Sequence, residues 1–290
     1  DISAVAYSLE AASLAARIFP TVTVEIPAIP EDEDLLGRLL PALADAGVAH
    51  LNLHQLKATP HNLRAFAPRD YTYLHGEQLM VMGSELCALR LLRKALDQGI
   101  PLAINYCSLA YKLRFQKVAA RQRGAALIRR GHEDICQSGL LRQASLFGEA
   151  AQMAALASRL RLSDAPAEAW ALQPGGETLR FSGSIWSHLA PLTGPLRLTY
   201  QLPRLISSVT YRNAFVEIPL MGQRRIAVER VPQGEVHDLG AEDTTHFGRL
   251  FLDQREAGDL GPDPAVDLGS RSLTRVIHLE QIKRGLDAFL

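Results

Sequence analysis

Apolar residues recur first at helical spacing and then at alternate positions, and the cycle repeats three times before residue 108. Ile2, Val5, Leu9, Ala12, Ala16 and Phe19 share one face of a predicted amphipathic helix, which Pro20 stops. In the strand that follows, Val22, Val24 and Ile26 point one way, and Thr21, Thr23 and Glu25 the other. The acidic run Glu31 to Asp34 suits the positive end of a helix dipole, and Leu35, Leu36, Leu39, Leu40 and Leu43 carry that helix to Gly47, with a bend expected at Pro41. The strand 48–54 repeats the division, with Leu51 and Leu53 on one face and His50, Asn52 and His54 on the other. A looser segment, 57–83, leads to a third helix with Ser84 as its N-cap and Gly99 as its stop, then to a strand at 100–107. Helices alternating with strands predict a parallel sheet with crossover helices. The fold class expected is α/β, a partial (β/α) barrel of parallel strands whose polar faces look inward.

Beyond Ser108 the pattern changes. Residues 111–161, rich in Ala, Arg and Leu, read as two or three helices interrupted near Gly131 and Gly139. Short alternating segments follow at 178–181, 196–202, 214–218, 225–229 and 274–278, with a helix from Leu279 and a long loop over 234–269. The expected organisation is a barrel-like domain at 1–110, a helical segment at 111–163 and a small α+β accessory domain at 164–290.

The composition, 47% hydrophobic and 21% charged over 290 residues, is that of a globular protein with a full-size core. No run approaches the roughly 20 apolar residues of a membrane span, and the apolar start lacks a basic n-region, so a cytoplasmic location is expected. Cys87, Cys107 and Cys136 are too few and too widely spaced for a disulfide framework or a zinc pattern. The net charge is zero, yet residues 90–130 hold ten Lys and Arg against the single acid Asp97. This stripe favours a solvated helix face or a docking surface for an acidic protein partner over a nucleic-acid contact.

The run VTVEIPAIPEDED at 22–34, followed after one helix by HLNLHQL at 50–56, resembles the later strands of the radical S-adenosylmethionine (SAM) superfamily, in particular proteins like the activating enzyme of pyruvate formate-lyase. The run INYCSLAYKLRFQ at 104–116 is similar to an extension in some members. The resemblance covers about a third of the chain. It implies SAM and a 4Fe-4S cluster as cofactors, reductive cleavage of SAM, and radical chemistry on an unknown substrate. It also implies that Thr23, Glu25, Asn52 and His54 line the SAM pocket. Glu25 would accept from an amino or ribose hydroxyl group, and Asn52 and His54 would bond adenine or methionine. The plainer reading has these side chains satisfying one another and water.

The family's CxxxCxxC loop is absent from the chain, so the cluster ligands are expected upstream. Asp1, standing where Met would start a chain, agrees with that expectation. Without the loop the chain is not expected to be catalytic alone, and the alternative function is a non-catalytic scaffold or subunit docking on a partner. His50, His54, His61 and His75 with Glu77 offer a metal site only if loops fold together, because His50 and His54 stand about 13 Å apart along a strand. No metal ligands are assigned. Trp170, Trp186 and Tyr200 with Arg197 read as core aromatics rather than as a base-stacking platform. No Gly-rich phosphate loop or Gly-x-Ser-x-Gly elbow occurs in the sequence.

Overall fold

The computed structural model describes residues 9–75, 78–189, 195–252 and 270–282. They divide into two units, one ending at residue 115 and the other beginning at residue 116.

The first unit contains α1 (Glu10–Ile18), β1 (Thr23–Pro27), α2 (Glu33–Asp45), β2 (His50–His54), α3 (Leu63–Phe66), β3 (Tyr73–Leu74), β4 (Met80–Val81), α4 (Met82–Asp97), β5 (Ala103–Cys107) and α5 (Leu109–Tyr111). Strands β1, β2 and β5 form a parallel sheet in that order. On one face Val24, Ile26, Leu51 and Leu53 are buried with Leu36 and Leu40 of α2 and Ala88 and Leu91 of α4. Burial of each such Leu or Ile side chain contributes roughly 1.5–3 kcal/mol. This apolar face is what the alternation predicted, and it fixes which side chains the other face shows. Helix α2 continues through Pro41, whose missing N–H removes one intrahelical bond. Helix α4 opens at Met82, ahead of the expected cap. Ser84 is fully buried, and its hydroxyl accepts from the Leu56 N–H at 2.8 Å, tying the end of β2 to the helix. The segment expected to be loose holds α3 and the β3–β4 hairpin.

The predicted fold class is overturned. Among the described residues parallel pairing stops at three strands, and the larger sheet is antiparallel with seven, so the protein is not a (β/α) barrel of parallel strands. The second unit contains α6 (Val118–Ile128), β6 (Asp134–Ile135), β7 (Leu141–Phe147), α7 (Ala150–Leu162), β8 (Trp170–Leu172), β9 (Thr178–Phe181), β10 (Leu196–Ile206), β11 (Phe215–Pro219), β12 (Arg225–Leu239), α8 (Ala241–Phe247) and α9 (Arg271–Glu280). The sheet order is β11-β12-β10-β7-β9-β8, with β6 also pairing β7. Its main core gathers Ala144, Leu146, Leu179, Phe181, Leu196 and Leu198 with Met153 and Leu160 of α7 and Val276 and Ile277 of α9.

Residues 141–147 lie in the stretch expected to be helical from its Ala, Arg and Leu content, and they do not alternate: Leu141 packs with α6 on one face, while Arg142, Ala144 and Leu146 are buried on the other. A strand covered on both faces loses its polar half. Gly139, expected to interrupt a helix, has φ +81° and lies in the tight turn joining β6 to β7. Residues 274–278 were expected to be a short alternating strand. They belong to α9, whose buried Leu273, Val276, Ile277 and Glu280 follow helical spacing, and whose N-cap Ser270 accepts from the N–H groups of Ser272 and Leu273. The expected long loop contains the end of β12 and α8, and its remainder, 253–269, lies outside the described residues. Of the helix expected from Leu279, the part beyond residue 282 also lies outside them.

Candidate functional site

Because β1, β2 and β5 are in register, Glu25, Asn52 and Asn105 stand in one row across the sheet, and Pro27, His54 and Cys107 in the next. The alternation that buries Val24, Leu51 and their neighbours turns Glu25, Asn52, His54 and Asn105 to the opposite face. There the side chains form a chain of hydrogen bonds. Asn105 Nδ2 donates to Asn52 Oδ1 at 3.2 Å, Asn52 Nδ2 donates to Glu25 Oε1 at 3.0 Å, and His54 Nε2 lies 3.4 Å from Glu25 Oε2. The Glu25 carboxylate thus collects contacts from both rows, with 58% of its side-chain surface still exposed.

The hydrogen bond from Asn52, followed by that from His54, holds the Glu25 carboxyl below the usual carboxylate range, and Lys112 adds a smaller Coulombic pull. Glu25 is therefore ionised at neutral pH, and the row ends in a fixed, solvent-accessible negative charge. His54 retains further capacity, because its Nδ1 is buried without a hydrogen-bond partner. The arrangement can accept from amino and hydroxyl groups and attract a cation.

The structure brings together three of the four residues expected to line a pocket: Glu25, Asn52 and His54. Thr23 shares their face one row further from the strand ends, beside His50 and Ala103, and makes none of these bonds. Asn105 and Lys112 were missed. Asn105 alternates in phase with Glu25 and Asn52, which was a usable signal; the approach of Lys112 required the tertiary fold.

The other candidates separate. Among the described residues no three of His, Cys, Asp and Glu gather as a metal-holding group; Glu77 lies outside them. Cys87, Cys107 and Cys136 are buried and not in disulfides. Burial pushes the Cys87 thiol up to about 12 and raises Cys136 well above its ordinary value. These thiols do not fit a four-iron cluster, which needs closely spaced thiolates. Tyr200 is buried at 2% exposure, and Trp186 stacks on Phe181 with ring centroids 6.2 Å apart, which makes both core aromatics. Within the basic stripe Arg90 pairs with Glu33 at 2.6 Å and Arg93 with Asp97 at 2.8 Å, whereas Arg121, Arg123 and Arg129 make no ion pair with a described residue. A cavity of about 450 Å³ lies among residues 30–31, 69–72 and 82–83. Beside it Tyr71 donates to Glu31 at 2.8 Å, and Arg69 donates to the Tyr71 hydroxyl at 2.8 Å.

A second polar cluster lies within the core of the second unit. Arg142, 5% exposed, donates to Asp134 at 2.8 Å and to Glu280 at 3.0 Å. Tyr200 donates to Glu280 at 2.7 Å, and Ser182 and the Gly183 N–H both donate to Asp134. Asp134 is held below its ordinary value by Arg142 and these donors, against the opposing effect of burial. Largely buried and bonded mainly within itself, this cluster serves the fold. No family model, curated protein or solved structure matches the chain.

Proposed function

We propose that the open polar face of the three-stranded parallel sheet is a ligand-binding wall for S-adenosylmethionine, in a cytoplasmic radical SAM enzyme acting on an unknown substrate. The observation that carries this reading is the hydrogen-bonded row of Asn105, Asn52, Glu25 and His54, exposed where a buried structural network would be closed. SAM presents an ammonium group, a sulfonium centre and two ribose hydroxyls. Ionised Glu25 attracts the cationic centres and accepts from the amino or hydroxyl groups, while Asn52 holds the carboxylate in place. His54 and Asn105 add donors and acceptors at either end of the row. Bound SAM, with a reduced four-iron cluster, supplies hydrogen-abstracting radical chemistry. The buried, widely spaced thiols of this chain do not fit that cluster. The test is calorimetric titration of SAM into the complete protein. Glu25→Ala and His54→Ala should each weaken binding about tenfold, the scale of one charge-assisted hydrogen bond, with little change in melting temperature. Unchanged affinity in both variants overturns the assignment.

The alternative is a non-catalytic scaffold docking on an acidic protein partner, favoured by Arg121, Arg123 and Arg129, which make no ion pair with a described residue. Saturable SAM binding by the wild-type protein would exclude it.

A further inference from the structure

Six arginines lie within strands of the second unit, and five of them have a carboxylate: Arg142 with Asp134 and Glu280, Arg197 with Asp238, Arg204 with Glu229, Arg225 with Glu217 and Arg230 with Glu133. Arg180 is the exception among the described residues. It is half-buried on β9, and its neighbours in register are Ser145 on β7 and Ala171 on β8, neither of them acidic. Leaving a partly desolvated guanidinium unmatched is unfavourable, in a sheet that matches all its other arginines.

His132 lies over the same patch. Strands β9 and β6 follow each other along one edge of β7, opposite residues 144–147 and 141–142. Just ahead of β6, the His132 carbonyl accepts from Gln143 Nε2 at 3.1 Å. Gln143 and Ser145 share a face of β7 and stand about 7 Å apart, which places His132 beside Arg180. His132 Nε2 is buried without a hydrogen-bond partner. Burial, with the guanidinium groups of Arg180, Arg130 and Arg230, holds the His132 pKa below its ordinary value, and Glu133 opposes them. Glu133 is already engaged by Arg230 and by the Arg130 N–H, while the Arg130 side chain has no carboxylate among the described residues. Glu168 is exposed, and its backbone oxygen closely approaches Gly131, next to His132.

We propose that Arg180, Arg130 and His132 form a binding site for a phosphate-type oxyanion on this face of the seven-stranded sheet. The oxyanion supplies the carboxylate-like partner that Arg180 lacks among the described residues, neutralises Arg130 and accepts from His132 Nε2 once that nitrogen carries a proton. The Ser145 hydroxyl, next to Arg180 in the row, offers one more donor. The site lies on a different unit from the polar row of the parallel sheet and does not depend on that assignment.

The test is an NMR titration of the histidine ring resonances of the complete protein with inorganic phosphate, at constant ionic strength against chloride. The expected result is a saturable shift of the His132 signals and a rise in the His132 pKa on phosphate binding. Arg180→Gln should weaken phosphate binding about tenfold or more and abolish the rise. Arg130→Gln, which alters an exposed side chain, should weaken it less and keeps the test open if R180Q does not fold. Absence of a saturable response, an equal response to chloride, or unchanged phosphate affinity in the folded variants would overturn the proposal.

Discussion

Glu25 and Glu280 each sit in a chain of polar partners, one with 58% of its side-chain surface exposed and the other with 3%. Glu25 receives an amide and an imidazole on an open sheet face, and its negative charge remains available. Glu280 receives a guanidinium and a phenol in the core, where its charge is cancelled by Arg142. The same side-chain chemistry therefore serves opposite ends: in water a polar chain is cheap to leave incomplete and can bind, whereas in the core it must be closed. The difference teaches that matching, considered together with burial, separates a structural cluster from a candidate site.

The sharpest way to break the comparison is Arg142→Met, which strands Asp134 and Glu280 as buried, uncompensated carboxylates. It should cost about 3–5 kcal/mol in urea denaturation; a loss below about 1 kcal/mol would show that the cluster does not hold the core. A smaller effect is expected from Asp134→Asn, about 1–3 kcal/mol at neutral pH. Because the folded pKa of Asp134 is depressed, its contribution is present above the ordinary carboxylate range and lost as pH falls through that depressed value. The wild-type urea midpoint should therefore fall in acid more steeply than that of D134N. The smallest effect belongs to the open row, where Asn52→Ala should change stability by no more than about 1 kcal/mol while reducing SAM affinity. A large stability loss in N52A would make the two clusters alike and remove the basis for calling the first a site.

Legibility followed burial. In the first unit one face of the parallel sheet is apolar and the other polar, so alternation revealed β1, β2 and the outward set Thr23, Glu25, Asn52 and His54. Asn105 obeys the same phase but was not singled out, because no face was assigned to its strand. In β7, burial on both faces erased the alternation, and Arg142 fell within a stretch read as helical because nothing local announces that Asp134 and Glu280, 8 and 138 residues away, pair with it. The α9 segment was legible in principle, since Ser270 and the spacing of Leu273, Val276, Ile277 and Glu280 are helical signals that outweigh a short alternation.

By itself the sequence determined the local periodicities: which residues of β1 and β2 face away from the apolar core, where α2 buries its leucines, and that no long apolar span occurs. In α4 the buried face is instead Cys87, Ala88, Leu91 and Ala95, with Leu86, Leu89 and Leu96 exposed. Only the tertiary structure decided that parallel pairing ends at three strands, that seven others pair antiparallel, and which charges meet. The reason is physical. Side-chain phase along one strand or helix depends on backbone geometry over a few residues, whereas strand partners and buried ion pairs depend on contacts between distant segments, whose closure no local pattern encodes.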